Sequence, residues 1–306
     1  MKIAAVLPID RITPPGEFFS SRAVTDMAKS LEDSGFHGCV VTDHPTPTGR
    51  WLDAGGHHAQ DPFALLAFVA ATTRRIMLQT GILVLPYRNP FLTVRSVNTL
   101  DALSDGRVIL GLGAGYMKGE YKALGADFDN RNDVMDEYLA AMKAAWSGEE
   151  FSFKGTGYEA LGNRILPLPL QRPHPPLWLG GNSKRAARRA AAFGEAWCPF
   201  HTVSSEAVVA TARTARMDGG EDLIAGIAYL KEQSAALGRA TPPAVVLDSM
   251  KAPTAEWNAQ ALVDQIGVLA DMGVSAVTAH IDGADRAEWC ENARRYGEEV
   301  VALVGG

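Results

Sequence analysis

The sequence predicts an α/β fold, a closed (β/α)₈ barrel of the TIM type with a hairpin or loop inserted before strand five. Short apolar segments alternate with longer amphipathic segments along the chain, at intervals of roughly 35 residues, as a closed parallel barrel requires. Several of the short segments are continuously apolar, which is typical of parallel strands covered on both faces. A doubly wound open sheet is the alternative, but it usually has fewer strands and a different loop signature.

Eight strands are expected, and each is a short run rich in aliphatic residues. They are Ile3–Ile9, Gly38–Thr42, Ile76–Leu85, Val108–Leu112, Leu177–Leu179, Ala196–Phe200, Ala244–Leu247 and Ala276–Ile281. The third is unusually long, and Gly81 interrupts it. An isolated glycine within a strand often marks a bulge, so we predict a bulge at Gly81–Ile82. In the alternative interpretation, Gly81 only relieves crowding in a regular strand.

The segments between the strands carry helical periodicity. Apolar residues recur at spacings of three and four within 135–146 and within 262–270, which predicts two helices with one buried face each. Another helix begins after Pro90 and ends before the Asp105-Gly106 pair, which is typical of a helix C-terminus.

Residues 150–176 depart from this repeat. Phe151, Phe153, Gly155, Gly157 and Tyr158 lie here and a proline-rich run follows. We interpret the segment as a β-hairpin and loop inserted before the fifth strand. Loops of this length are usually functional or mobile.

Composition excludes several classes of function. The 306 residues are 47% hydrophobic and 21% charged, with a formal net charge of −6, which is ordinary for one soluble enzyme domain spanning 1–306. No basic stripe is present, so we expect no nucleic-acid binding. No apolar stretch is long enough to span a membrane. The three scattered cysteines suit a reducing cytoplasm and form no CxxC motif.

Active sites of such barrels lie at the carboxyl ends of the strands. The residues expected there are Asp43, His44, Pro86, Tyr87, residues 113–116, Gly180 to Ser183, Trp197 to His201, Asp248, Ser249 and Asp282. They include no metal-ligand spacing, and the adjacent pair His57-His58 rarely converges on one metal. Asp43-His44 is a carboxylate–imidazole pair, which suits either acid–base chemistry or a loop cap.

Two glycine-rich strand ends are candidate cofactor contacts. Residues 111–115 read GLGAG after a strand, which permits either a tight strand exit or close backbone approach to a cofactor, although it is not the dinucleotide fingerprint. Gly180 and Gly181 end the next strand, and Asn182 or Ser183 can cap a following helix. The N–H groups of that helix terminus would form an anion site, and an ordinary capped helix is the alternative.

The residues at this point resemble a known family. The segments VVTDHP, TGILVLPYRNP, LDALSDGRVILGLGAGYMKGEY, RNDVMDEYLAAMKAAWSGE and PHPPLWLGGNSKRAARRAAAFGEAWCP are similar, in order and spacing, to luciferase-like flavin-dependent oxidoreductases. The similarity covers most of residues 1–200 and is greatest to a branch that uses coenzyme F420, an 8-hydroxy-5-deazaflavin. It implies a small-molecule substrate and a homodimer paired through barrel helices.

The resemblance also implies roles for particular residues. Asp43 and His44 approach the deazaflavin ring, and Gly81-Ile82 is the place of a non-proline cis peptide that backs it. Gly113, Ala114 and Gly115 match backbone approach to the cofactor side chain. The phosphate-binding turn is matched by Gly180, Gly181, Asn182 and Ser183. Sugar-phosphate dehydrogenases of this branch have an acidic residue where this chain has Tyr116, and a tryptophan soon after the Asp-His pair, whereas Trp51 comes later here.

Three functions follow as hypotheses. The first is hydride transfer between F420 and an unidentified organic substrate, with His44 and then Tyr116 as catalytic residues and Asp43 orienting His44 or the ring. Trp51 and Trp197 are candidate walls of the substrate pocket, although a core position is common for a tryptophan. The second is an FMN-dependent monooxygenase on the same barrel. The third is a barrel that binds no cofactor and serves as a scaffold.

Overall fold

The structure is a computed structural model of the chain. It describes residues 1–200, 215, 217, 219–250 and 256–305, and at 248–250 the backbone alone.

The barrel is a closed ring of parallel strands. Its strands are β1 (Lys2–Val6), β2 (Gly38–Val41), β3 (Met77–Thr80) with its continuation β4 (Leu83–Val84), β5 (Val108–Gly113), β8 (Leu177–Gly180), β9 (Ala196–Cys198), β10 (Ala244–Met250) and β11 (Ala276–Ala279). Each pairs in parallel with the next in chain order, and β1 pairs with β11, where Ile3 lies opposite Val277. The predicted (β/α)₈ barrel is therefore confirmed.

Helices follow the strands and surround the ring. They are α1 (Ser21–Asp33), α2 (Gly49–Asp53), α3 (Pro62–Thr72), α4 (Pro90–Leu103), α5 (Lys118–Ala123), α6 (Arg131–Ala145), α7 (Lys184–Phe193), α8 (Gly220–Ala236), α9 (Ala259–Asp271) and α10 (Arg286–Tyr296), then helical turns at Gly297–Val301 and Ala302–Val304. Polar side chains cap several N-termini; Asp61 accepts from Ala64 N at α3 and Ser183 from Ala186 N at α7. Such caps satisfy N–H groups that the helix itself leaves unpaired.

The insertion before the fifth barrel strand is a hairpin, as predicted. Strands β6 (Phe151–Gly155) and β7 (Tyr158–Asn163) pair antiparallel, with Gly155 opposite Tyr158. Phe151 and Ala160 are buried within the main core, so the hairpin packs on the barrel's helices.

The main core lies between the strands and the helices. Outward-facing strand residues such as Ile3, Leu78 and Leu110 are fully buried against helix residues such as Leu66 and Leu139. A second, smaller cluster fills the barrel interior, and it consists of Ala196, Cys198, Val246 and Ala276, with Trp178 packed against it. Side chains alternate between these two cores along each strand.

The observed strands end one to three residues from their predicted ends. β1 ends at Val6, β9 at Cys198 and β11 at Ala279, all earlier than predicted, whereas β10 continues to Met250. Regular pairing ends early in β1 and β9 because the chain there turns into loops at the carboxyl end of the barrel, where a side chain no longer faces a neighbouring strand.

Candidate functional site

His44 lies at the carboxyl end of β2 and forms the centre of a polar cluster. Its side chain is buried, and Nδ1 lies 3.1 Å from Oε2 of Glu120. Glu120 is in α5, the short helix after β5, and is fully buried. The ends of β2 and β5 thus bring together an imidazole and a carboxylate that are 76 residues apart.

Two further donors reach Glu120. The backbone N–H of Thr46 donates to Oε1 at 3.2 Å, and the Tyr87 hydroxyl donates to Oε2 at 3.0 Å. Burial, with the charge of Glu120, raises the pKa of Tyr87 well above its ordinary value of 10. The Tyr87 phenol therefore keeps its hydrogen and can donate it throughout the neutral range.

Tyr116 lies on the other side of the His44 ring. Its hydroxyl oxygen is 3.4 Å from His44 Nε2. Burial, and secondarily the charge of Glu120, raises the pKa of Tyr116 to about 12. The phenol is thus neutral at physiological pH, and the two predicted catalytic residues are adjacent.

Aromatic rings enclose His44. Trp51, on α2, has its ring centre 4.7 Å from that of His44, and the His57 ring is at 5.0 Å. Burial lowers the pKa of His57, and the nearby His44 lowers it further. Trp51 therefore packs beside His44, its role as a wall of the substrate pocket stays a prediction, and His57 is an additional member of the cluster.

Asp43 has a different partner from the one expected. Its carboxylate pairs with both terminal nitrogens of Arg88, at 2.6 and 2.8 Å, and accepts from Val84 N at 2.9 Å. Of the two roles expected of Asp43, orienting His44 was wrong, because the two side chains point to different neighbours, and orienting the cofactor ring stays a prediction. Asp43 instead anchors the segment that follows β4.

The peptide bond between Gly81 and Ile82 is cis, which confirms the predicted break in strand three. The chain leaves the sheet at this point and re-enters it as β4. Ile82 is half-buried and points towards Gly113 and Gly180; a Cβ atom at Gly180 would lie 2.7 Å from Ile82 Cδ1, and one at Gly113 would overlap the same atom.

The glycines at the end of β5 therefore have a structural use that the sequence did not reveal. The space beside Gly113, which we expected a cofactor to approach, is occupied by Ile82. The carbonyl of Ala114 accepts from the Tyr121 hydroxyl. Gly115 has a φ of 66°, a left-handed conformation that favours glycine.

The turn between β8 and α7 is tightly fixed. Gly181 has a φ of 122°. The Asn182 side chain donates to the carbonyls of Phe200 and Ala215 and accepts from Phe200 N at 2.9 Å, so it is used within the protein. Ser183 caps α7. An incoming anion would therefore meet backbone N–H groups of the first turn, which have no acceptor within the helix.

Trp197 does not line a pocket. It is 1% exposed, its ring contacts Gly226 on α8, and its Nε1 donates to the carbonyl of Gly181 at 2.8 Å. The expectation that Trp197 walls the substrate pocket was wrong, because neighbouring Ala196 and Cys198 face the barrel interior and Trp197 faces the helices.

Two cavities lie beside residues of the site, one next to His57 and one next to Ile82 and Gly181. One of about 650 Å³ opens at the ends of β1 and β11, and its lining includes Asp10, His57 and Asp282. Arg11 also lines it, but its guanidinium donates to two backbone carbonyls of the loop after β11. A chamber of about 40 Å³ lies beneath the cis peptide and is bordered by Gln79, Gly81, Ile82, Gly181, Cys198 and Phe200.

Some expected site residues lie outside the described part of the chain. His201 is one, and the side chains of Asp248 and Ser249 are others. Within the residues that are described, no three His, Cys, Asp or Glu side chains cluster as a metal site would require. Over the same residues, no helix has the length and apolarity to cross a membrane.

Glu120, Arg88 and His57 are the site residues that sequence reasoning missed. Glu120 and Arg88 lie inside the segments that carry the family resemblance. A carboxylate on a short helix after a barrel strand is a signal that could have indicated Glu120, since such helices border the mouth.

A family model described as luciferase-like monooxygenase matches residues 1–223. An F420-dependent glucose-6-phosphate dehydrogenase of Nocardia farcinica is 32% identical over 186 residues, which cover 58% of this chain and 53% of that protein. An FMNH2-dependent dimethylsulfone monooxygenase of Pseudomonas putida is 32% identical over 146 residues, which cover 47% of this chain and 40% of that protein. The chain thus spans about half the length of these relatives.

A solved structure shows the same fold. A monooxygenase from Streptomyces bottropensis superposes with a TM-score of 0.78 over 99% of both chains, at 17% identity. At that identity, the likeness concerns the barrel architecture alone.

Proposed function

Because the chain belongs to the luciferase-like monooxygenase family, we propose that it is an oxidoreductase that transfers a hydride between coenzyme F420 and a small organic substrate. The observation that carries the proposal is the buried cluster of His44, Glu120 and Tyr116 at the barrel mouth. It supplies a group that can exchange a proton next to a site suited to a flat cofactor.

The residues present fit a deazaflavin. Ile82 and the cis peptide offer a half-exposed apolar surface that suits one face of a planar ring. The same small chamber is bordered by Ile82 and by Gly181, at the start of the turn into α7, which supports proposed ring and phosphate sites that are close together. Backbone N–H groups at a helix N-terminus favour an anion. When bound, F420 supplies the carbon that accepts or donates the hydride.

The chain's own residues manage the proton. His44 Nε2 faces Tyr116 and not Glu120, so it is the ring nitrogen available to a substrate hydroxyl or carbonyl oxygen. The Tyr116 phenol, whose pKa is raised to about 12, acts as a hydrogen-bond donor to the same oxygen. Trp51 and His57 restrict water around the imidazole.

The large cavity is proposed as the place of the substrate's non-reacting part. It shares His57 with the His44 cluster, and its described lining carries the carboxylates of Asp10 and Asp282. Tyr116 replaces the acidic residue of the sugar-phosphate dehydrogenases. The two carboxylates of the cavity and the tyrosine at position 116 both favour a substrate other than a sugar phosphate.

An FMN-dependent monooxygenase is the second candidate. The observation in its favour is the 32% identity to an FMNH2-dependent enzyme, which equals that to the F420-dependent dehydrogenase. The Asp-His pair at the end of strand two and the resemblance to the deazaflavin branch favour F420. A deazaflavin has carbon in place of a reactive ring nitrogen and prefers hydride over oxygen chemistry.

Spectroscopic titration tests the proposal. Purified protein is titrated with F420 and, separately, with FMN, and binding is followed by the absorbance of each cofactor. We expect saturable binding of F420 at least tenfold tighter than that of FMN, about 1.4 kcal/mol in binding free energy. Tighter binding of FMN would favour the monooxygenase, and binding of neither would favour a scaffold.

A further inference from the structure

Glu120 is a fully buried carboxylate with three polar neighbours and no role in the sequence-based assignment. We infer that Glu120 is a positioning residue that holds His44 in the tautomer with hydrogen on Nδ1, so that Nε2 is the proton-exchanging atom. The inference deepens the proposed function, but only its kinetic test rests on that function.

The neighbours of Glu120 define it as an acceptor. The Thr46 N–H can only donate, and it occupies Oε1. Tyr87 occupies Oε2 with a hydroxyl that keeps its hydrogen, since its pKa is raised by burial and by Glu120 itself. Both carboxylate oxygens thus already act as acceptors. Glu120 therefore accepts a third hydrogen bond, from His44 Nδ1–H.

The hydrogen on Nδ1 determines the protonation state of the other ring nitrogen, Nε2. In a neutral imidazole only one nitrogen carries hydrogen, so Nε2 keeps its lone pair. Nε2 faces the Tyr116 hydroxyl at 3.4 Å, on the side away from the carboxylate. The rings of Trp51 and His57 limit rotation of the imidazole. Nδ1 therefore stays towards Glu120 and Nε2 towards Tyr116.

The neighbouring carboxylate cannot substitute for Glu120. Both oxygens of Asp43 are bonded to Arg88. Within the described residues, Glu120 is the carboxylate that contacts His44. Loss of the carboxylate therefore removes this acceptor from His44 Nδ1.

The direct test is the tautomer of His44 in the protein without cofactor. Nitrogen NMR of ¹⁵N-histidine-labelled protein at about pH 8, where imidazoles are ordinarily neutral, distinguishes the two tautomers. The His44 signal among the seven histidines is assigned by its loss in His44→Gln. We expect hydrogen on Nδ1 in the native protein. Hydrogen on Nε2 would overturn the inference.

The variant Glu120→Gln tests whether the carboxylate of Glu120 determines the tautomer of His44. Its amide NH₂ can donate to Nδ1, so we expect His44 to change to the tautomer with hydrogen on Nε2. Tyr87→Phe keeps the carboxylate and is expected to keep the native tautomer. The matched control Glu298→Gln alters an exposed carboxylate paired with Arg294 and should change nothing. An unchanged tautomer in Glu120→Gln would contradict the inference. If that variant does not fold, the native spectrum and that of Tyr87→Phe decide.

Kinetics add a second measurement. Loss of the correct tautomer is expected to lower kcat by about 10²–10⁴-fold, with F420 affinity changed less than about tenfold. Equal loss in kcat and affinity would indicate a merely structural Glu120. If the native protein transfers no hydride, the proposed function fails, and the NMR result still decides the inference.

Discussion

At the scale of single residues, His44 has a distinct partner at each ring nitrogen. Nδ1 faces Glu120 and Nε2 faces Tyr116. An imidazole fixed in this way is prepared for proton exchange at one atom only. In the proposed function His44 exchanges a proton and contributes little to cofactor affinity, and mutation can separate these two roles.

We predict that His44→Ala lowers turnover far more than cofactor affinity. Loss of acid–base catalysis costs about 10²–10⁴-fold in rate, whereas one lost hydrogen bond to the ring costs about 1 kcal/mol. Steady-state kinetics and F420 titration measure the two quantities. His58→Ala is the control, because His58 contacts His57 through its backbone carbonyl. Comparable losses of rate and affinity, or no loss, would make His44 a structural cap.

The residue scale also shows where sequence reasoning reaches its limit. His44 and Tyr116 could be placed at the mouth because strand ends converge there, and Trp51 was proposed from the family resemblance. The partner of His44 could not be chosen between Asp43, its chain neighbour, and Glu120, which is 76 residues away. That choice depends on Arg88, which pairs with Asp43, and a single sequence does not show such tertiary pairs.

At the scale of elements, the glycines of β5 are fixed by their neighbours in adjacent strands. A Cβ atom at Gly111 would overlap the backbone carbonyl oxygen of Thr80 and lie 3.2 Å from Ile82 Cγ2. Backbone in a closed barrel cannot move aside as a side chain can. The strand therefore requires glycine here for packing, apart from any ligand.

We predict that Gly111→Ala destabilises the protein by about 1–3 kcal/mol, the usual cost of overpacking. Gly267→Ala is the matched control, since Gly267 lies in α9 with open space around it. Alanine is the better helix former, so this variant should gain about 0.5–1 kcal/mol. Urea unfolding followed by circular dichroism measures both. A neutral Gly111→Ala would show that β3 and β5 can separate locally.

The cofactor phosphate is predicted to bind at the turn from β8 to α7. Gly180→Asp should weaken F420 binding more than tenfold, about 1.4 kcal/mol, because a carboxylate there repels an anion at the helix N-terminus. Gly180→Ala is the control for crowding of Ile82, whose Cδ1 would lie 2.7 Å from the new Cβ. Absorbance titration compares the two. If alanine and aspartate weaken binding equally, the phosphate lies elsewhere.

The presence of each strand and of the hairpin was predicted more accurately than the residues at which they end. The eight strands and the hairpin follow from apolar periodicity, and the break at Gly81 follows from one glycine in a long strand. The sequence could not predict whether Trp197 faces the helices or the barrel interior. Strand β9 has three residues, which is too short to show which of its side chains alternate to which face. Its facing neighbour, Gly226 on α8, is known only from the fold.

At the scale of the whole molecule, the stability of the barrel is coupled to pH through His37. Burial, with a smaller effect of the Lys2 charge, lowers the pKa of His37 from 6.5 to about 4. The folded state therefore keeps His37 neutral in a range where the unfolded chain binds a proton. Stability from this group is complete above about pH 6.5 and is lost as the pH falls towards 4.

We predict that the free energy of unfolding falls with decreasing pH in this window more steeply in the native protein than in His37→Gln. One proton contributes at most about 1.4 kcal/mol per pH unit, and partial exposure of His37 reduces that value. Urea unfolding at several pH values between 4 and 7 gives both slopes. Parallel slopes would show that His37 titrates normally in the fold.

A homodimer remains a prediction at this scale. Family resemblance suggests pairing through barrel helices, and α4 presents exposed Leu92 and Leu103, apolar residues that an interface could cover. Light scattering at micromolar protein measures the mass, with about twice the 32.7 kDa chain expected. A monomeric mass would refute pairing.

The packing of Ile82 against Gly113 and Gly180 also restricts how this barrel can evolve. Gly113 ends β5, Gly180 ends β8 and Ile82 lies in the break between β3 and β4; the three share one volume, so the effect of substituting any of them depends on the other two. A larger residue at Gly113 becomes tolerable only after Ile82 has been shortened, and the reverse order passes through an overpacked intermediate. Such epistasis makes the order of substitutions matter, and homologues are expected to change these positions together.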